Sequence, residues 1–226
     1  MKLTYYGHAC WAVEIKGKKL LFDPFISPNE LASHIDINTI EADYILITHG
    51  HEDHVADVAT IAKRTGAKII SNFEIINWFA GKGIENGHPM NIGGKWNFGF
   101  GTVTYFTAQH SSSMPDGSYG GNPGSFIIES DEGNFYHPGD TALMEDMKLI
   151  PMLTNLDFAL LPIGDNFTMG IREAVIAAGF IECNKIFAMH FDTFGYIVVD
   201  KDEAISAFNK EGKSLSFVEI GKTVNV

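Results

Sequence analysis

Three of the chain's nine histidines and two carboxylates stand within six consecutive residues, His49-Gly50-His51-Glu52-Asp53-His54. Imidazoles and carboxylates are costly to bury unpaired, and a metal ion satisfies several of them at once. Glu52 falls outside the alternation of the cluster and is expected to face solvent. One loop rarely closes a metal site alone, so partners are sought where other apolar runs end in a polar residue. VTYFTAQH ends at His110, NFYHPGDT runs through His137 to Asp140, and KIFAMHFDT runs through His190. The set is then His49, His51, Asp53, His54, His110, Asp140 and His190. Seven groups exceed the needs of one tetrahedral zinc and suit two divalent ions about 3.5–4 Å apart. Five imidazoles and two carboxylates without a thiolate make zinc the first choice, with manganese, nickel or iron as alternatives. Bridged by a hydroxide, such a centre carries about +1 and draws an anion, or a carbonyl that becomes one. The expected chemistry is hydrolysis of a small ester, lactone or phosphoester by the metal-bridging hydroxide, with Asp53 and Asp140 as the catalytic carboxylates.

Groups so far apart in sequence must be positioned by strands that end together. Asp43-Tyr-Ile-Leu-Ile-Thr48, rich in β-branched residues, reads as a buried strand over 45–48. Val55, Val58, Ala59 and Ala62 recur at helical spacing, followed by Lys63, Arg64 and Gly66, which predicts a capped helix over 55–65. The histidine cluster therefore occupies the loop leaving a strand and the first turn of a helix, a common place for chemistry. Further strands are expected over 2–6, 11–15, 19–22, 68–71, 102–107, 125–128, 134–137, 157–163, 185–189 and 214–220. Helices are expected over 74–79, 172–181 and 200–209, with a helical stretch over 142–149. Mixed strands with interspersed helices, and no linker, repeat or charge block, predict an α/β layered sandwich spanning 1–226 as one domain.

At 226 residues the chain can bury a sizeable core. Its net charge of −12, with no run of Lys or Arg longer than two, disfavours nucleic acid, whose backbone is held by basic stripes. A small-molecule partner remains, and a homo-oligomer is compatible with everything in the sequence. Cys10 and Cys183 are far apart and match no metal spacing, which points to two reduced, buried thiols. No apolar leader opens the chain and no apolar stretch approaches membrane-spanning length, so a cytoplasmic protein without a membrane partner is expected. The nucleophile motif G-x-S-x-G is absent.

HGHEDH fits the His-x-His-x-Asp-His motif of the metallo-β-lactamase superfamily, and His110, Gly139-Asp140-Thr141 and His190 follow in that family's order. YGHACWAVE, FDPF, LPIGDNFTMG and MHFDTF resemble its small prokaryotic branch of metal-dependent hydrolases, similar to ascorbate-6-phosphate lactonase. The resemblance runs from Tyr5 to about Phe194. It implies a four-layer αβ/βα sandwich with two metals at one edge of the sheets. It further implies one metal on His49, His51 and His110, and the other on Asp53, His54 and His190, with Asp140 bridging. Rival activities are a phosphodiesterase or nuclease of the same fold, a mononuclear iron dioxygenase, and a non-catalytic metal-binding protein. A nuclease lacks its basic groove here, and di-iron relatives usually carry Glu where this chain has His51.

Around the ligands stand residues with two readings each. His8 follows a strand and is aligned by the family's early motif, which suggests a role beside the metals. Asp23 ends an apolar strand and is a candidate acceptor for the far nitrogen of a metal-bound imidazole. His137 is either a strand histidine bonded to backbone or a substrate neighbour. His34 and His88 are expected at the surface. The loop Ser111-Ser-Ser-Met-Pro-Asp-Gly-Ser-Tyr-Gly-Gly-Asn-Pro-Gly124 is either a plain connection or a lid that brings Tyr119 over the substrate. The stretch Asp165–Thr168, with Asp165 and Thr168 as its candidates, is next in line for substrate contact.

Overall fold

Residues Met1–Val226 are described by a computed structural model. Its strands are β1 (Lys2–Gly7), β2 (Cys10–Ile15), β3 (Lys18–Phe22), β4 (Tyr44–Leu46), β5 (Lys68–Asn72), β6 (Gly87–Met90), β7 (Lys95–Asn97), β8 (Thr102–Thr107), β9 (Gly124–Glu129), β10 (Phe135–His137), β11 (Phe158–Pro162), β12 (Lys185–Met189), β13 (Ser214–Ser216) and β14 (Thr223–Asn225). The helices are α1 (Glu52–Val55), α2 (Val58–Thr65), α3 (Phe73–Gly81), α4 (Ile150–Leu153), α5 (Ile171–Phe180) and α6 (Lys201–Lys210). Two seven-stranded sheets result, ordered β14-β1-β2-β3-β4-β5-β6 and β13-β12-β11-β10-β9-β8-β7. Each has an antiparallel half and a parallel half, the latter being β3 to β6 in the first and β10 to β13 in the second.

Side-chain alternation decides which way each sheet faces. Phe22 of β3, Leu46 of β4 and Ile70 of β5 enter the core between the sheets. Leu21, Ile45 and Ile69, one residue earlier, pack outward with Val58, Ile61, Ile75 and Phe79 of α2 and α3. Strands buried on both faces read as continuous apolar runs, and each such side chain contributes about 1.5–3 kcal/mol. On the second sheet, Ala174 and Ala177 of α5 and Ala204 and Phe208 of α6 join the main core. The layers run helix, sheet, sheet, helix, which is the expected αβ/βα sandwich. No helix is long and apolar enough to cross a membrane.

Several local expectations are corrected. The helix expected over 55–65 is broken, because buried Asp57 turns from the helix to accept hydrogen bonds from Ile26 N (2.7 Å), Ser27 N (2.8 Å) and Ser27 Oγ. This latch ties the loop after β3 to the histidine segment and frees α1 to point on its own. The stretch 142–149 contains a 3₁₀ turn over Glu145–Leu149 that runs into α4, whose Pro151 stands in the first turn. Only Ser214–Ser216 of 214–220 is strand, and β6, β7 and β14 escape the sequence pattern. β6 carries Gly87 and Pro89, which fits its place at a sheet edge.

The C-terminal ends of β1, β3 and β4 meet those of β8, β10, β11 and β12 at one edge of the sandwich, and the candidate groups lie just beyond them. Antiparallel pairing of β1 with β2 and β2 with β3 makes β1 run with β3, so His8 arrives on the same side as Asp23.

Candidate metal centre

All seven predicted ligand groups converge at this edge. His49, His51 and His110 bring ring nitrogens within 4.8 Å of one another, and His54, Asp53 and His190 do the same together with His8. Asp140 lies between the sets. Its Oδ1 is 3.3 Å from His54 Nε2, and its Oδ2 is 2.9 Å from His190 Nε2 and 3.6 Å from His110 Nε2. Glu52 is exposed, as its place outside the alternation predicts.

Asp23 orders the rings from beneath. Wholly buried, it accepts from Thr48 N (2.8 Å), Thr48 Oγ1 (2.7 Å) and His54 Nδ1 (3.0 Å). A carboxylate can only accept, so His54 Nδ1 carries a proton and Nε2 is left facing Asp140. Thr48 gives its single proton to Asp23, so at 3.0 Å its oxygen accepts from His49 Nδ1. That leaves the lone pair of His49 on Nε2, toward His51 Nδ1 at 3.0 Å. One carboxylate therefore sets the tautomer in both clusters, directly for His54 and through Thr48 for His49.

His8 performs a similar service for Asp53. Its Nε2 donates to Asp53 Oδ2 (3.1 Å) while Nδ1 meets Thr193 Oγ1 (3.0 Å). His8, Asp23 and His190 all adopt left-handed backbone, with φ of 55°, 42° and 55°. Such conformations cost of order 1–3 kcal/mol each and cluster where function over-determines the chain. Here each turns a strand end so that its side chain enters the edge.

The electrostatics follow from burial and mutual contact. Burial pushes the His49 imidazole far below its ordinary value, and His51 and His110 shift the same way for the same leading reason. Burial also pulls His8 down to about 4, with His190 adding to the effect and Asp53 opposing it. Burial works against the charge of His54 too, but Asp140, Asp53 and Asp23 outweigh it and raise its pKa well above normal. Asp140 is held well below the carboxylate range, since His190 and His54 overcome its burial. Neutral imidazoles and charged carboxylates are the forms that bind metal.

Whether the residues fit an ion can be read from groups left unsatisfied. His54 Nε2, Asp140 Oδ1 and both His190 nitrogens are buried without a hydrogen bond. They approach one another closely, yet not along hydrogen-bonding directions. Buried polar groups in native proteins are nearly always satisfied, and a cation shared among His54 Nε2, Asp140 Oδ1 and His190 Nε2 would satisfy those three. The raised pKa of His54 has the same meaning, for positive charge is favoured at its Nε2. The donor set therefore fits divalent metal.

Above the clusters opens a cavity of about 800 Å³, lined by His51, Asp53, His110, Asp140 and His190 and by further residues from four loops. Several second-tier expectations change here. Tyr119 points away from the cavity and donates to Asn122 Oδ1 (3.1 Å). Its loop is anchored to the segments around Gly50 and Asn72. Met114 is buried beside Gly50, Asn72 Nδ2 donates to Gly120 O (2.7 Å), and Ser112 Oγ bonds both Gly50 N and Gly120 O. Only Ser111 of this loop reaches the cavity, 3.3 Å from His51 Nε2. His137 is wholly buried, stacks on Phe22 at 4.7 Å, donates to Ala9 O (3.2 Å) and accepts from Gly139 N (3.2 Å). Both ring nitrogens serve backbone, so it joins the two sheets and lies outside the cavity lining. Asp165 and Thr168 also miss the lining, and Phe167 between them enters it. Phe167 falls within the expected Asp165–Thr168 stretch, whereas Phe194, Tyr196 and Glu30 were not singled out from the sequence. For Phe194 and Tyr196 the available signal was their place on the turn just past β12, the strand that leads to His190.

A sequence profile of the beta-lactamase superfamily domain matches residues 2–190. A UPF0173 metal-dependent hydrolase from Flavobacterium johnsoniae is 57% identical over 226 residues, covering 100% of both chains. Another from Christiangramia forsetii is 56% identical over 227 residues with the same coverage. Among solved structures, Igni18, a metallo hydrolase from the hyperthermophilic archaeon Ignicoccus hospitalis, has a TM-score of 0.89 and 35% identity, covering 99% of this chain and 97% of its own. Matched along most of its length by the profile and along all of it by these relatives, the chain belongs to the beta-lactamase superfamily and, within it, to the UPF0173 metal-dependent hydrolases.

Proposed function

We propose that this metal-dependent hydrolase uses two divalent ions to cleave a small ester, lactone or phosphoester. The observation that supports the reading most is the position of Asp140, whose carboxylate reaches His54 and His190 on one side and His110 on the other. One ion would be held by His49, His51 and His110 and the second by Asp53, His54 and His190, with Asp140 shared. Nitrogen and oxygen donors without thiolate make zinc the first choice. When bound, the ions supply water acidified toward neutral pH and positive charge for the developing oxyanion.

The chain's own residues prepare that chemistry. Asp23 keeps the protons of His54 and His49 on their far nitrogens, and so keeps the near nitrogens open. His8 holds one oxygen of Asp53, which leaves the other for the cavity. Burial keeps His49 neutral at working pH. For an ester, water adds to the acyl carbon, the acyl–oxygen bond breaks, and the alcohol departs with a proton from that water. The substrate is a small molecule by the size of the cavity, and the net charge of −12 argues against nucleic acid.

Metal content and hydrolysis test the reading together. Protein exposed to excess zinc or manganese is expected to carry about two ions per chain. It should hydrolyse at least one member of an ester, lactone and phosphodiester panel, and chelation should abolish that activity. Saturation at one ion would remove the shared role of Asp140 and with it the binuclear reading.

A further inference from the structure

One wall of the cavity is aromatic. Phe167 (48% exposed), Phe194 (37%) and Tyr196 (79%) line it, the first from the turn after β11 and the others from the turn after β12. Phe167 and Tyr196 meet edge to face at 6.3 Å, and Phe194 stands 5.3 Å from the His8 ring. Scattered exposed apolar residues need no explanation, but three rings on one face of one cavity beside the metal centre do.

The turns that carry them are built to hold them out. Asp165, Asn166 and Asp192 adopt left-handed backbone, with φ of 62°, 54° and 61°. The backbone bonds Asp165 N to Met169 O (3.0 Å), Asp192 N to Ile197 O (2.8 Å) and Ile197 N to Phe194 O (3.0 Å) fix these conformations, and Ile197 is buried. Strained residues persist where their surroundings over-determine them.

Charge supplies the second, independent observation. No Lys or Arg lines the cavity, and the only charged side chain there outside the candidate ligands is Glu30. Lys201, on the neighbouring helix, is engaged by Asp192 at 3.1 Å and lies outside the lining. An anionic group located away from the ions would meet aromatic rings, the Glu30 carboxylate and the uncharged Asn29, Ser111 and Thr193, with no cation to replace its water.

We propose that the non-reacting part of the substrate is apolar or aromatic, neutral or cationic, and lies against Phe167, Phe194 and Tyr196, and that a second anionic group bars a compound from the site. A sugar ester or lactone that carries a phosphate away from its reacting bond is thereby excluded. The proposal rests on the hydrolase reading for the reacting end alone.

The test uses the full, zinc-loaded chain and two probe series. The first comprises 4-nitrophenyl esters of equal-length acyl chains ending in phenyl, methyl, trimethylammonium or sulfonate. The second comprises hydroxamates with the same ends, which bind metal without being hydrolysed and whose affinities are read by calorimetry. The phenyl ends are expected to exceed the sulfonate ends by about tenfold or more in both kcat/KM and affinity. Phe167→Ala combined with Tyr196→Ala should collapse the ratio to about threefold or less with metal content unchanged. Glu30→Lys should strengthen sulfonate binding. Sulfonate ends that bind as tightly as phenyl ends would overturn the proposal, and so would an unchanged ratio in the double variant. If the hydroxamates rank as expected while no ester or lactone is cleaved, the hydrolase reading fails and the proposal stands. If esters are cleaved without preference, the outcome is the reverse.

Discussion

Replacing Asp23 with asparagine keeps its volume and removes one acceptor from a site where three donors converge. The carbonyl of the new amide can remain on Thr48 N. Its NH₂ then stands where Oδ2 was, facing Thr48 Oγ1 and His54 Nδ1. Two N–H donors cannot face each other, so His54 must either lose this bond or move its proton to Nε2, the atom turned toward Asp140. Thr48 can accept from the amide only by directing its own proton at His49 Nδ1, which pushes that ring toward the wrong tautomer as well. One charge-assisted hydrogen bond is lost, about 1.5–3 kcal/mol. For a chain of this length that corresponds to a fall in Tm of roughly 3–12 °C. Changes of this kind behind a metal ligand weaken metal binding by about 10–100-fold, and both ions should be affected. Calorimetric titration of zinc into chelator-treated protein reads the affinities, and ¹⁵N NMR of the zinc-loaded form reads the Nδ1 protons of His49 and His54. Wild-type affinity at both sites in Asp23→Asn, with both Nδ1 protons in place, would refute the role assigned to Asp23.

Two further outcomes follow from the packing. Burial holds the His137 pKa below its ordinary value, so the unfolded chain takes up this proton first on acidification. Stability is therefore lost as pH falls through the unfolded value near 6.5, at up to about 1.4 kcal/mol per pH unit. In His137→Gln, urea melts of zinc-loaded protein between pH 7 and 5 should show a shallower loss, and an unchanged slope would count against it. Gly139 has φ +60°, and a Cβ there would collide with Thr48 Oγ1, Cβ and Cγ2. Thr48 cannot retreat while it is bonded to Asp23, so Gly139→Ala should cost about 2–5 kcal/mol from strain and overpacking. Urea melts measure the loss, and zinc titration should show weaker binding in the same variant.

The ligand groups were legible because each combines a costly side chain with the end of an apolar run. His49 to His54 announce themselves by density, and His110, Asp140 and His190 by position. The break at Asp57 was hidden, because Val55 and Val58 pack into the same outer core and keep helical spacing across it. His137 follows Phe135 and Tyr136 in a short buried strand, and nothing in its neighbours distinguishes a backbone-bonded ring from one facing a substrate. The aromatic wall was invisible for a different reason. Phe167, Phe194 and Tyr196 lie in turns, where no periodicity reports direction, so the stretch Asp165–Thr168 could be singled out but not the residue in it that lines the cavity. That Tyr119 lies outside the cavity lining was equally hidden, because the anchors of its loop, Asn72 and Gly50, are distant in sequence.

The candidate ligands are divided between the two sheets. His49, His51, Asp53 and His54 follow β4 of the first, whereas His110, Asp140 and His190 follow β8, β10 and β12 of the second. An ion shared across that division would be a fastener along one seam of the sandwich, and its binding energy would add to the apolar packing and the hydrogen bonds, that of His137 to Ala9 O among them, that already hold the halves together. The seam is also the rim of the cavity, so catalytic competence and mechanical closure of the two sheets are one condition. A chain stripped of metal would loosen first along this edge, with each sheet still hydrogen-bonded within itself. The enzyme would then fail by opening its jaws before it failed by melting.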